Sequence, residues 1–240
     1  MATSSALPGR FASVEELESF LATPSPALVA EMAAIDGDLV ILGVAGKMGP
    51  TLARLEKNAT PSRRVIGVAR FSEADVRQRL EAWGVETIAC DLLDREAIAA
   101  LPDAPNLIFA AGHKFGASGN TPLTWAMNTW VPSVVAERYR ASRIVAFSTG
   151  NVYPLTRIGT PAPTESSPLG PVGDYAQSCL GRERMFEYFS ARYRTPGRIF
   201  RLNYAIDMRY GVLFDIASKV KKGYTLSLHD ALPIDRKSVV

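Results

Sequence analysis

The run Leu39-Val40-Ile41-Leu42 passes without a break into Gly43-Val44-Ala45-Gly46-Lys47-Met48-Gly49, and this junction limits the possible folds more than any other stretch. Four consecutive apolar residues suit a strand buried on both faces, which is the condition of strands in a parallel sheet. The G-x-x-G-x-x-G spacing that follows removes side chains where the chain must turn sharply into a helix. Bare backbone at a helix N-terminus presents N–H groups and the positive end of the helix dipole, which suits a pyrophosphate. The same glycines would also serve close strand–helix packing with no ligand bound. Gly43, Gly46, Lys47, Met48 and Gly49 are therefore candidate phosphate-turn residues. An ATP-type phosphate loop is excluded, because Lys47 is followed by Met48 and no glycine stands five positions before Gly46.

Downstream, short apolar runs alternate with longer amphipathic ones. Strands are expected at Leu39–Leu42, Val65–Ala69, Glu86–Ala89, Asn106–Ala110, Arg143–Phe147 and Arg198–Leu202. Helices are expected at Met48–Asn58, Glu73–Trp83, Arg95–Leu101, Pro122–Arg140 and Tyr175–Tyr193. Alternation of this kind predicts an α/β fold, a doubly wound parallel sheet with helices on both faces. The segment Ile158–Gly173, rich in Pro, Gly, Ser and Thr, reads as a loop. Ahead of the sheet, residues 1–36 form a helical extension in this reading. Ser13 and Glu16 make a capping box there, and Pro24 and Pro26 separate two short helices. The nucleotide-binding domain spans 37–205, and 206–223 begins a further region.

Composition narrows the classes of partner. The 240 residues, 47% hydrophobic, can bury one ordinary core. A formal charge of +3 with scattered Lys and Arg argues against nucleic acid. No apolar run approaches the roughly 20 residues of a membrane span, and Met1–Pro8 lacks the features of a signal peptide. Two cysteines, Cys90 and Cys179, give no disulfide framework or cysteine metal site, so a cytoplasmic location is expected.

The last residues read differently. With His229–Ile234 written as CAC GAC GCT CTT CCG ATC, the reverse complement encodes Asp-Arg-Lys-Ser-Val-Val, the sequence of Asp235–Val240. Residues 224–240 are therefore expected to be a translated sequencing adapter, with the authentic sequence stopping near Gly223 and the native protein longer. His229 carries no function in this reading, and His113 is the one histidine left.

At the end of the second strand, where a dinucleotide's adenosine ribose is read, an acid would favour NAD and an arginine NADP. Val68-Ala69-Arg70-Phe71 offers Arg70, which tilts the expectation to NADP. After the third strand, Asp91 and Leu92 stand where a carboxylate would meet the adenine amino group.

With those elements in order, the chain resembles the NAD-dependent epimerase/dehydratase family, the extended short-chain dehydrogenases, over roughly Asp38–Gly223. Ala110-Ala111-Gly112-His113-Lys114 is similar to that family's cofactor loop after the fourth strand. Ser148-Thr149-Gly150-Asn151-Val152-Tyr153 resembles its S-[ST]-x-x-V-Y segment, and Arg201-Leu202-Asn203-Tyr204 its R-x-N stretch. The resemblance implies a Rossmann-type fold holding NAD(P). It adds Ala110, Ala111, Gly112, Lys114, Asn128 and Asn203 to the cofactor contacts. It also implies a small-molecule substrate, a nucleotide sugar among the options, and it allows a homodimer. Catalysis would rest on Thr149 as the hydroxyl orienting the substrate oxygen and Tyr175 as acid/base. A tyrosine titrates near ~10, so it needs help from a neighbouring cation near neutrality. The family supplies a Lys four residues after the Tyr, and here that position holds Cys179. Arg182 and Lys114 are two candidate substitutes. Two functions follow: an oxidoreductase acting on a hydroxyl or keto group, or a dinucleotide-binding module that lost efficient catalysis and serves as a redox sensor or assembly partner.

Overall fold

A computed structural model describes residues 7–113, 119–157, 159–203 and 207–225. Lys114 and all but the first two residues of the 224–240 tail lie outside them. Six strands form one parallel sheet: β1 Leu39–Leu42, β2 Val65–Ala69, β3 Glu86–Ala89, β4 Asn106–Phe109, β5 Arg143–Thr149 and β6 Gly197–Leu202. Their order is β3-β2-β1-β4-β5-β6. This is the doubly wound arrangement expected from the alternation of apolar runs. All four residues of β1 and all five of β2 are buried, as central strands of a covered sheet must be. In register, Ile41 lies beside Gly67 on one side and Ile108 on the other.

Helices on the two faces build two cores. On one face, α3 (Gly49–Ala59) and α4 (Ala74–Ala82) cover Leu39, Ile41, Val65 and Ala69 through Ala53 and Leu80. On the other, α5 (Arg95–Ala99), α7 (Val131–Arg138) and α8 (Gly173–Tyr193) enclose Val40, Leu42, Ile66, Val68, Leu107 and Phe109. Burying each such side chain is worth roughly 1.5–3 kcal/mol.

Two short helices precede the sheet, α1 (Val14–Leu21) and α2 (Pro26–Ala33). Ser13 Oγ accepts the Glu16 N–H at 3.2 Å, half of a capping box; the Glu16 carboxylate instead takes the Ala12 N–H at 2.6 Å. Where one helix was expected over 122–140, three pieces occur: α6 (Thr121–Trp125), a π-turn (Ala126–Trp130) and α7. Pro132 explains the break, because it has no N–H for the Asn128 carbonyl and its ring crowds that oxygen. α8 opens at Gly173, two residues before Tyr175. The last helix, α9, covers Val212–Lys221.

Candidate active site

β1 leads into α3 on one face of the sheet and β4 leads toward α7 on the other, so the adjacent ends of β1 and β4 form the switch point at which open α/β sheets bind ligands. Gly43 turns the corner with φ +87°, and a Cβ there would lie 2.6 Å from the Ala111 nitrogen. The β1 and β4 loops therefore touch backbone to backbone. Val68 O accepts both the Gly43 and Val44 N–H groups, at 2.8 and 3.2 Å. Gly49 opens α3 so close to the turn that a Cβ would sit 2.1 Å from Val44 O. Gly46 and Lys47 face solvent. Met48 precedes the helix without a side-chain cap, so no side chain of its own neutralises the dipole end. The Lys47 ammonium lies 5.3 Å from the Tyr210 ring centroid. This corner fits a diphosphate: its tip is exposed, it is side-chain-free at Gly46, and it stands at a helix N-terminus.

Around it, Arg70 is exposed at the end of β2. Phe71 follows with φ +50°, a left-handed conformation costing a non-glycine residue roughly 1–2 kcal/mol. Asp91 is exposed and its Oδ1 accepts the Leu93 N–H at 3.0 Å. Leu92 is a core residue at 5% exposure. Ala110 donates its N–H to Leu42 O at 2.9 Å, Ala111 is buried, and Gly112 is exposed beside them.

The second group gathers at the end of β5. Thr149 closes the strand, and its Oγ1 accepts the Asn151 N–H at 3.2 Å. The Tyr175 phenol, reaching over from the first turn of α8, interacts with the Thr149 hydroxyl and the Cys179 thiol. Burial pushes this phenol well above the ordinary tyrosine range, the Cys179 thiol adds to that, and the nearby Arg182 charge opposes it. Asn128 is fully buried on the π-turn. Its amide oxygen accepts from His113 N at 2.8 Å and Arg182 Nη2 at 2.8 Å, while its nitrogen donates to His113 O and Ser178 Oγ, both at 3.0 Å. That side chain is committed to holding the β4 loop against α8. Asn203, exposed after β6, lies against Gly150, whose Cβ would come within 2.9 Å of its Oδ1.

Sequence reasoning missed Glu183. It is 1% exposed, accepts from Ser148 Oγ at 2.5 Å, and pairs with Arg201 at 2.8 Å. Arg201 also donates to Tyr153 OH at 2.8 Å. Ser148, Tyr153 and Arg201, three residues of the recognisable motifs, are thus braces beneath the site. An acid in mid-helix beside the apolar residues of α8 was the available signal.

Elsewhere, a groove lies between α5 and α7, where Arg95 pairs with Glu137 and Arg138 with Asp103, while Arg140 stands over the Tyr193 ring. Among the described residues no cluster of His, Cys, Asp and Glu could hold a metal ion. None of their helices is long and apolar enough to cross a membrane.

A model of the family described as "NAD dependent epimerase/dehydratase family" matches residues 39–206. Among solved structures, the chain is similar to UDP-glucuronic acid 4-epimerase from Bacillus cereus in complex with NAD, at 15% identity and TM-score 0.64, covering 79% of this chain and 65% of that one. It is similar to the UDP-Glc/GlcNAc 4-epimerase of Campylobacter jejuni at 22% identity and TM-score 0.64, covering 78% and 63%. It also resembles dTDP-glucose 4,6-dehydratase from Bacillus anthracis in complex with NAD, at 15% identity and TM-score 0.65, covering 78% and 62%. At these identities the likeness is one of fold, and the chain spans less than two thirds of each of those structures. No curated protein matches.

Proposed function

The chain belongs to the NAD-dependent epimerase/dehydratase family, and from that membership we propose that it binds NAD(P) and serves oxidoreductase chemistry at a hydroxyl or keto carbon of a nucleotide sugar. One observation carries the reading. The exposed glycine corner and the neighbouring Thr149 and Tyr175 side chains stand along the same C-terminal edge of the sheet, at the ends of β1 and β5. The nicotinamide group, when bound, supplies the acceptance and return of hydride. The protein's own part is to receive the diphosphate at Gly46–Met48, to orient the substrate oxygen with the Thr149 hydroxyl, and to move its proton to and from the Tyr175 oxygen. The nucleotide-sugar substrate is carried over from the relatives, which are epimerases and a dehydratase of such sugars. Exposed Arg70, with no acid before Glu73, favours NADP over NAD. Two free, buried cysteines accord with a reducing cytoplasm.

Titrating the purified chain with NADPH and NADH, read by nicotinamide fluorescence, tests this directly. Saturable signals are expected from both, with NADPH the tighter. Silence from both would end the binding claim, and tighter NADH would remove the role given to Arg70.

A second reading has its own observation. Cys179 stands where the family has lysine, and the Tyr175 phenol is raised rather than lowered, so the chain would hold dinucleotide without efficient proton transfer. Cys179→Lys separates the two, with reduction of bound dinucleotide by UDP-glucose as the assay. A gain on the order of a hundredfold, the size of a general-base contribution, would favour the module that lost catalysis. An unchanged rate would favour either a tyrosine already served by another cation or a non-catalytic role.

A further inference from the structure

We propose that Arg182 is the positioning residue that takes over the electrostatic task of the absent lysine, holding a fixed positive charge beside Tyr175 through which the phenolate becomes accessible. The proposal rests on the reading of Tyr175 as acid/base and goes beyond it by naming the cation.

The placement begins with the helix. Seven residues span close to two turns of α8, so Tyr175 and Arg182 share a face. Long side chains on a helix lean toward its N-terminus, which carries the guanidinium to the C-terminal end of the sheet, where its charge acts on the phenol. Its anchors lie at the same end of the sheet: Nη1 donates to Phe147 O at 2.7 Å, two residues before Thr149, and Nη2 to Asn128 at 2.8 Å. Gly112, in the loop after β4, makes room, since a Cβ there would lie 2.6 Å from Nη2. The guanidinium thus fills the gap between the β4 loop and the end of β5.

The charge balance is what sets Arg182 apart. It is 6% exposed, yet none of its partners among the described residues is an acid: they are a carbonyl, an amide and the Phe109 ring, whose centroid is 5.4 Å away. Its Nε has no hydrogen-bond partner among the described residues. Glu183, next in sequence, is committed to Arg201 and Ser148. A buried cation without a counter-charge is costly unless an anion forms nearby. Of the other charged or titratable groups described at this end of the sheet, three have partners of their own. Asp174 accepts from Trp125 at 2.9 Å, His113 meets Thr124 at 3.0 Å, and Tyr153 accepts from Arg201. Cys179, beside the phenol, disfavours its ionisation, whereas Arg182 favours it. When the Tyr175 O–H loses its proton to bulk water, the phenolate is the negative charge that this guanidinium lacks.

The test places a fluorotyrosine at position 175 of the full chain and follows its ionisation by fluorine NMR against pH, with no dinucleotide present. Arg182→Gln is expected to raise the midpoint by about one unit or more, the size of a nearby opposite charge. Arg182→Lys, which keeps charge while losing the planar contacts, should stay near the starting value. Asn128→Asp gives Arg182 an acid partner with little change of shape and should also raise the midpoint, so the proposal stays open to refutation if Arg182→Gln fails to fold. No rise in Arg182→Gln, no rise in Asn128→Asp, or equal shifts in the Lys and Gln variants would overturn it. Because no dinucleotide is used, a failed NAD(P)H titration with these shifts intact would remove the proposed function alone.

Discussion

Glu183 joins a strand end, a helix and the last strand through a single carboxylate, accepting from Ser148 and pairing with Arg201 at 1% exposure. Neutralising it strands the Arg201 guanidinium, itself largely buried, and loss of one partner of such a pair costs about 3–5 kcal/mol. Glu183→Gln should lower unfolding stability toward that range in urea titrations; an effect under about 0.5 kcal/mol would show that the brace is dispensable. Gly49 is the second position where a single atom matters. A Cβ at 2.1 Å from Val44 O forces helix and turn apart, and overpacking of this kind costs about 1–3 kcal/mol. Gly49→Ala should therefore lose stability and dinucleotide affinity together. Stability lost with unchanged affinity would mean that the corner binds nothing. The glycine was legible in the sequence as part of a spacing. Glu183 was not, because its worth depends on Arg201 and Ser148, which are distant in the chain.

At the scale of elements, α1 is tied to the rest by Glu18. That carboxylate pairs with Arg79 of α4 at 2.6 Å and with Arg209, beyond β6, at 2.9 Å. Arg209 reaches on to Thr51 in the first turn of α3. The N-terminal extension, α3 and the segment after β6 thus share one network of ion pairs and hydrogen bonds. Glu18→Ala should cost on the order of 1 kcal/mol, as partly exposed pairs do. It should also speed amide exchange in α1 while leaving β1 unchanged; equal exchange in α1 would show the extension to be held by its apolar contacts alone. The π-turn is the other feature of this scale. A helical period over 122–140 was readable, but the break at Pro132 decides that Asn128 meets both Arg182 and His113.

For the molecule as a whole, two buried phenols set an alkaline limit. Burial raises the Tyr139 hydroxyl, which donates to Pro102 O at 3.1 Å, to about 12, and it raises Tyr175 further. In both cases the folded value exceeds the unfolded one, which is near 10. Their contribution is whole below about pH 10 and falls as pH climbs toward the folded values, because the unfolded chain ionises first. Stability should decline between about pH 10 and 12, and Tyr139→Phe should flatten that decline in urea midpoints measured across the range. An identical slope in the variant would remove Tyr139 as a cause. The sequence by itself determined the strand–turn–helix alternation, the doubly wound sheet and the glycine corner, because hydrophobic period and missing side chains act locally along the chain. The tertiary structure alone decided which acid braces Arg201 and why Asn128 is buried, because burial and charge pairing depend on residues that only the fold brings together.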